Sequence, residues 1–200
     1  MAPGLTAGAD AGRTLRPAEA DAAPRTESGM VRVWDPFVRL FHWSLVVFFT
    51  AAWLTGDEID WLHELLGYGV LALVGLRLVW GFVGSPHARF RDFSFGPATT
   101  FAYARDALAM RAKRYLGHNP LGAAMVFALL AGLVVTGGSG WLLTTDLLGH
   151  EPKWLEETHE VAANLMLVLI ATHIAGVIFS SLSHGENLAR SMVSGMKRAE

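Results

Sequence analysis

The stretch VAANLMLVLIATHIAGVIFSSLSHG, residues 161–185, contains no Asp, Glu, Lys or Arg. About 20 mostly apolar residues are enough for a helix to cross the hydrocarbon core of a bilayer. Inside the stretch lies His173, and His159 stands fourteen residues before it. Ionisable side chains at membrane depth are costly, and they are functional by default. This segment therefore bears on both the fold and the chemistry.

Three further stretches share its character. Leu40–Gly56 and Tyr115–Thr145 are free of charge, and Leu65–Ala88 carries only Arg77. Across all 200 residues, 52% are hydrophobic and 17% charged, against roughly 25% charged in soluble domains. The expected fold is all-α, a four-helix transmembrane bundle with spans near 37–56, 63–84, 120–142 and 157–181. A soluble bundle of buried helices is the alternative. Six tryptophans (Trp34, Trp53, Trp61, Trp80, Trp141 and Trp154) fall near the ends of these spans, where interfacial Trp collects. The chain has no Cys, which excludes disulfides, thiolate metal sites, iron–sulfur clusters and covalent c-type haem. A net charge of -2 gives no case for nucleic acid.

Residues 1–30 differ in kind, being rich in Ala, Gly, Pro and mixed charge. They read as a disordered N-terminal tail before a transmembrane domain over 31–200. The tail has no apolar core of the kind a cleaved signal peptide needs. Segment 86–119 reads as a linker holding a basic amphipathic helix on the membrane surface, with Phe101, Leu108 and Tyr115 near helical spacing. Asn119-Pro120 has the form of a helix start, an N-cap followed by Pro at the first helical position.

Charge sets the orientation. Segment 86–119 has six Lys/Arg against Asp92 and Asp106. The loop regions on the other side hold Asp57, Glu58, Asp60, Glu64, Asp146, Glu151, Glu156, Glu157 and Glu160 against Lys153 alone. The positive-inside rule puts segment 86–119, and hence both termini, in the cytoplasm.

Four of the eight histidines lie in the spans. His42 sits near the inner start of the first helix and His63 near the outer start of the second. Fourteen helical residues rise about 21 Å and return to within about 40° of one face. On the fourth helix, His159 is thus outer and His173 inner, on one stripe. The four sort by depth into His42 with His173 and His63 with His159. Two imidazoles facing each other across a bundle core suit the axial positions of a bis-histidine haem. Two such pairs about 21 Å apart could also be metal sites, though each would supply only two ligands. Ala124, Ala128, Gly132, Thr136 and Gly140 form a stripe of small residues, which suits either a haem or close helix packing. Arg77, at the inner level, would either meet a haem propionate or snorkel to the interface. His87, His118, His150 and His184 read as interfacial or loop residues, with His118 a quinone or proton contact to watch.

The run Val33-Trp34-Asp35-Pro36-Phe37-Val38-Arg39-Leu40-Phe41-His42-Trp43-Ser44 resembles the start of the bacterial cytochrome b561 family, which includes the b-type cytochrome subunits of nickel–iron hydrogenases. His63-Glu64-Leu65-Leu66-Gly67-Tyr68 with Arg77-Leu78-Val79-Trp80-Gly81 resembles its second helix. His159-Glu160 with His173-Ile174-Ala175-Gly176 resembles its fourth. The resemblance covers about residues 31–198. It implies two non-covalent b haems with axial ligands His42, His63, His159 and His173, and electron exchange with ubiquinone or ubiquinol. Hydrogenase-type relatives usually have a further helix, and four are expected here.

The expected function is electron transfer across the membrane between the quinone pool and a periplasmic redox partner. The acidic outer loops favour a basic partner such as a c-type cytochrome. The alternatives are a superoxide:ubiquinone oxidoreductase, against which the same acidic rim argues because superoxide is an anion, and the membrane anchor of a hydrogenase or dehydrogenase.

Overall fold

The computed structural model describes residues 29–148 and 152–199. The expected tail up to residue 28, together with His150 and Glu151, lies outside the described residues. In chain order the elements are β1 (Met30–Arg32), α1 (Pro36–Thr55), α2 (Asp60–Val83), α3 (Phe90–Phe93) and α4 (Pro97–Leu108). They continue with α5 (Pro120–Leu143), a 3-10 turn (Asp146–Leu148), α6 (Lys153–His184), α7 (Leu188–Ser194) and β2 (Met196–Arg198).

Four of the helices, α1, α2, α5 and α6, are long and apolar enough to cross a membrane, with mean hydropathy of 1.5, 1.8, 2.1 and 2.2 over their most apolar windows. Large apolar side chains such as Val47, Val79, Phe82, Val161, Val168 and Leu182 point outward. A water-soluble bundle would turn such residues inward, so this surface is made for lipid. Trp53, Trp61, Trp141 and Trp154 are also exposed. Trp34 departs from the expected belt. It is buried, and its indole N–H donates to Ser191 Oγ at 3.2 Å.

Local chemistry sets the helix ends. Asp35 caps α1 by accepting from the Val38 N–H at 2.8 Å, with Pro36 in the first turn. Asn119 caps α5 in the same way, accepting from Gly122 N–H at 2.7 Å. This matches the reading of Asn119-Pro120 as a helix start. Helix α6 runs from Lys153 to His184, longer at both ends than the expected 157–181. It stops at Gly185, whose φ of 58° is the left-handed turn that favours glycine.

The spans pack in the sequence α1 on α2, α2 on α5 and α5 on α6, while the α1 and α6 backbones make few close approaches. Val70, Val74, Leu133 and Met166 form the buried core, with Leu45, Phe48 and Phe49 packed against it. A Cβ at Gly132 would come within 2.4 Å of Met166 Sδ. At that level the small-residue stripe therefore serves close packing.

The first and last described elements, β1 and β2, meet at one end of the bundle, here termed proximal. β1 pairs antiparallel with β2, setting Val31 opposite Lys197. The Val33 and Trp34 N–H groups donate to Gly195 O at 2.9 and 3.1 Å. Glu186 receives Arg114 and, at 3.2 Å, the buried Lys197. Lys197 Nζ also donates to Tyr115 O at 3.1 Å. Burial alone would raise the Glu186 carboxyl, but the Arg114 hydrogen bond and the Lys197 charge outweigh it and hold the group below its ordinary value.

The linker is only partly the expected helix. α4 ends at Leu108, and Met110 follows with a φ of 56°. Tyr115 is therefore not on the helix. It packs edge-on against Tyr103, with ring centres 5.7 Å apart. α4 buries Tyr103 and Ala107 and leaves Phe101 and Leu108 exposed.

Candidate functional site

The four span histidines come together in two pairs. At the distal end the His63 and His159 ring centres are 5.9 Å apart, at 85° between planes. At the proximal end His42 and His173 are 6.5 Å apart, at 53°. A metal–imidazole nitrogen bond is about 2.0–2.1 Å and a ring centre lies roughly 1.1 Å further, so two rings on one metal have centres about 6.3 Å apart. Both pairs fall near that spacing.

At the distal pair the backbone selects the tautomers. His63 Nδ1 lies 2.8 Å from Ala52 O, and His159 Nδ1 lies 2.9 Å from Thr136 O. A carbonyl only accepts, so in each ring Nδ1 carries the proton and Nε2 keeps its lone pair. A neutral imidazole held through Nδ1–H is the usual arrangement of a metal-ligating histidine. At the proximal pair His42 Nδ1 is buried without a partner, and the His42 ring stands edge-on to Trp43 at 5.1 Å.

The distal rings border a cavity lined by Phe49, Trp53, Gly67, Val70, Gly137 and Ala163, among others. Glycine makes room here for two distinct reasons. A Cβ on Gly67 would meet nothing within 4 Å, so that side of the cavity is open. A Cβ on Gly140 would lie 2.8 Å from His159 Cε1, so the glycine lets the ring pass close to α5. Thr136 and Gly140 of the small-residue stripe thus serve the histidine, while Gly132 serves packing. Paired imidazoles held through Nδ1, an apolar wall and open space beside Gly67 fit a non-covalent haem.

Arg77 is 4% exposed and so does not snorkel into water. Its Nη2 donates to Ala88 O at 3.0 Å, and its guanidinium lies 5.1 Å over the Phe90 ring. Nη1 is buried with no partner.

Other positions were less visible in sequence. His118 is not a plain loop residue. Its ring lies between Trp34, at 4.8 Å, and Phe93, at 4.5 Å. Asp35 does more than cap α1. It also accepts from Trp80 Nε1 at 3.2 Å and from Ser85 Oγ, tying α1 to the end of α2. Its place before Pro36 could have suggested the cap, whereas the two distant donors left no trace in the local sequence.

Four apolar spans with histidines paired inside them have the architecture of a membrane b-type cytochrome. The profile of the family described as prokaryotic cytochrome b561 matches residues 33–195, and the chain belongs to that family. Heme b, electron transport and a multi-pass membrane location follow from that membership. Among its relatives are proteins named "Probable Ni/Fe-hydrogenase B-type cytochrome subunit". The one from Azotobacter vinelandii is 23% identical over 84% of this chain and 88% of its own length. Those from Bradyrhizobium diazoefficiens and Cupriavidus necator are 23% and 24% identical, over 94% and 82% of this chain and 95% and 86% of their own. No solved structure matches the chain significantly.

Proposed function

We propose that the chain is a diheme cytochrome that carries electrons across the bacterial inner membrane, between ubiquinone or ubiquinol and a periplasmic redox partner. His42 and His173 are the axial ligands of an inner haem, and His63 and His159 those of an outer one. The supporting observation is the stacking of two histidine pairs in one bundle, with both distal Nδ1 atoms bound to carbonyls. Bound haem would supply one-electron redox chemistry. The chain's own residues orient the imidazoles, exclude water through the apolar core between the two levels, and offer Arg77 to an inner-haem propionate.

In this reading the proximal end, with both termini and the basic linker, is cytoplasmic. Residues 31–200 form the membrane domain, and α4 rests on the membrane surface through Phe101 and Leu108. The acidic distal loops face the periplasm and attract a basic partner such as a c-type cytochrome.

The relatives' names favour a second reading, in which the same electron path serves as the membrane anchor of a hydrogenase. Recovery of a large redox subunit with the tagged protein from native membranes would favour the anchor.

The purified protein should show a reduced-minus-oxidised b-type α-band and about two haems per chain. His42→Ala or His173→Ala should remove one haem, and His63→Ala or His159→Ala the other. Absence of the band, or loss of the same haem in all four variants, would refute the assignment.

A further inference from the structure

At the proximal end of the bundle, α3 and α5 together form an aromatic cluster. Phe90, Phe93 and Phe127 pack together there, with ring centres 5.5 to 6.0 Å apart. Arg77 lies against Phe90 of this cluster, and His118 lies against Phe93. Trp34, just after β1, packs against His118, and β1 is itself paired with β2.

Two polar atoms in this region are sealed from solvent without a partner, Nη1 of Arg77 and Nδ1 of His118. A buried donor without a partner costs about 1–3 kcal/mol, more when charged. Both belong to side chains packed on one aromatic cluster, and a buried polar group without a partner calls for an explanation. Burial pushes the His118 imidazole down to about 3, and the positive charges of Arg77, His87 and Lys197 add to the effect. The ring is therefore neutral and has one N–H to give. Among the described residues no carboxylate lies within ion-pair distance of Arg77; at this end Asp35 is engaged by Ser85 and Trp80, Asp92 by Arg89, Asp106 by Arg111, and Glu186 by Arg114 and Lys197.

We infer that His118 is an anchor for the inner haem, donating from Nδ1 to the propionate group that also accepts from Arg77 Nη1. The assignment rests on the diheme reading above. It makes His118 a positioning residue, which acts on the cofactor's carboxylate and not on the iron. The histidine, the arginine and their aromatic wall come from separate stretches of chain, and both polar atoms are sealed from water, where a hydrogen bond to a charged group is strongest.

The test uses the holoprotein in detergent and follows the transfer of each haem to excess apomyoglobin. The inner haem is identified as the one missing from His173→Ala. His118→Phe keeps a ring between Trp34 and Phe93 and removes the donor. Inner-haem loss should become at least about tenfold faster in this variant, the outer haem should be unaffected, and a propionate carboxylate band should move in the redox infrared difference spectrum. Arg77→Met should do the same, and the double variant should lose less than the sum of the two effects. Wild-type retention of both haems in His118→Phe, with unshifted carboxylate bands, would overturn the assignment. Equal acceleration of both haems would overturn it too, by making His118 a general packing residue. Unchanged haem retention with slowed quinone reduction would also overturn it, in favour of a headgroup contact. A wild-type protein with no inner haem would instead bring down the diheme reading.

Discussion

Gly140→Ala adds one methyl group and tests the distal site directly. The new Cβ would lie 2.8 Å from His159 Cε1 and 3.1 Å from Nδ1. Ordinary contact begins near 3.4 Å, so the ring has to retreat by about 0.6 Å or turn. A ligand site tolerates about 0.5 Å before its geometry fails. Retreat also stretches the 2.9 Å bond from His159 Nδ1 to Thr136 O. Loss of that bond removes about 0.5–1.5 kcal/mol, roughly a 2- to 13-fold drop in affinity before any strain at the metal. The outer haem should therefore be depleted or spectrally altered, and the inner one kept. Gly138→Ala is the matched control, because a Cβ there meets nothing within 4 Å. It should leave both haems in place. Haem per chain by pyridine haemochromogen and low-spin signals by EPR read the result. A Gly140→Ala protein with two unaltered haems, or one that loses the inner haem, would refute the reasoning.

Three other outcomes are expected. For Asp35, burial alone would raise the carboxyl, but bonds from Ser85, Val38 and Trp80 hold it below its ordinary value. A carboxyl depressed in the folded state stabilises above its unfolded pKa, and this contribution is lost as pH falls below about 4. Asp35→Ala should lower the melting temperature at pH 7, costing about 1–2 kcal/mol for the cap alone, and should differ less from wild type in acid. Lys197→Met removes a buried partner of Glu186 and should cost about 1–3 kcal/mol, read as faster amide exchange in β1 and β2 with haem content unchanged. Electron exchange with a basic cytochrome c should slow as salt rises toward 0.5 M, where the Debye length falls to about 4–5 Å. A rate independent of salt would remove the acidic rim as a docking surface.

The four spans were legible because membrane crossing needs a run of apolar residues, and such a run is local. Pairing by depth was also within reach of sequence, since helix rise and chain direction place His159 and His173 at different levels. The tertiary structure decided what depends on distant partners. Thr136 O and Ala52 O select the distal tautomers from twenty-three and eleven residues away. The small-residue stripe looked uniform in sequence, yet Gly132 meets Met166 while Gly140 meets His159, because α6 crosses it with a different side chain at each turn. His118 read as an interfacial or loop residue because it stands just before the start of a span. Trp34 covers it from more than eighty residues away. Sequence alone determined that this chain crosses a membrane four times with histidines inside, because hydropathy and helical pitch act over neighbours. Only the tertiary structure decided which nitrogen of each distal histidine stays free and where an unpaired guanidinium and an unpaired imidazole share one wall, because both depend on groups brought together by packing.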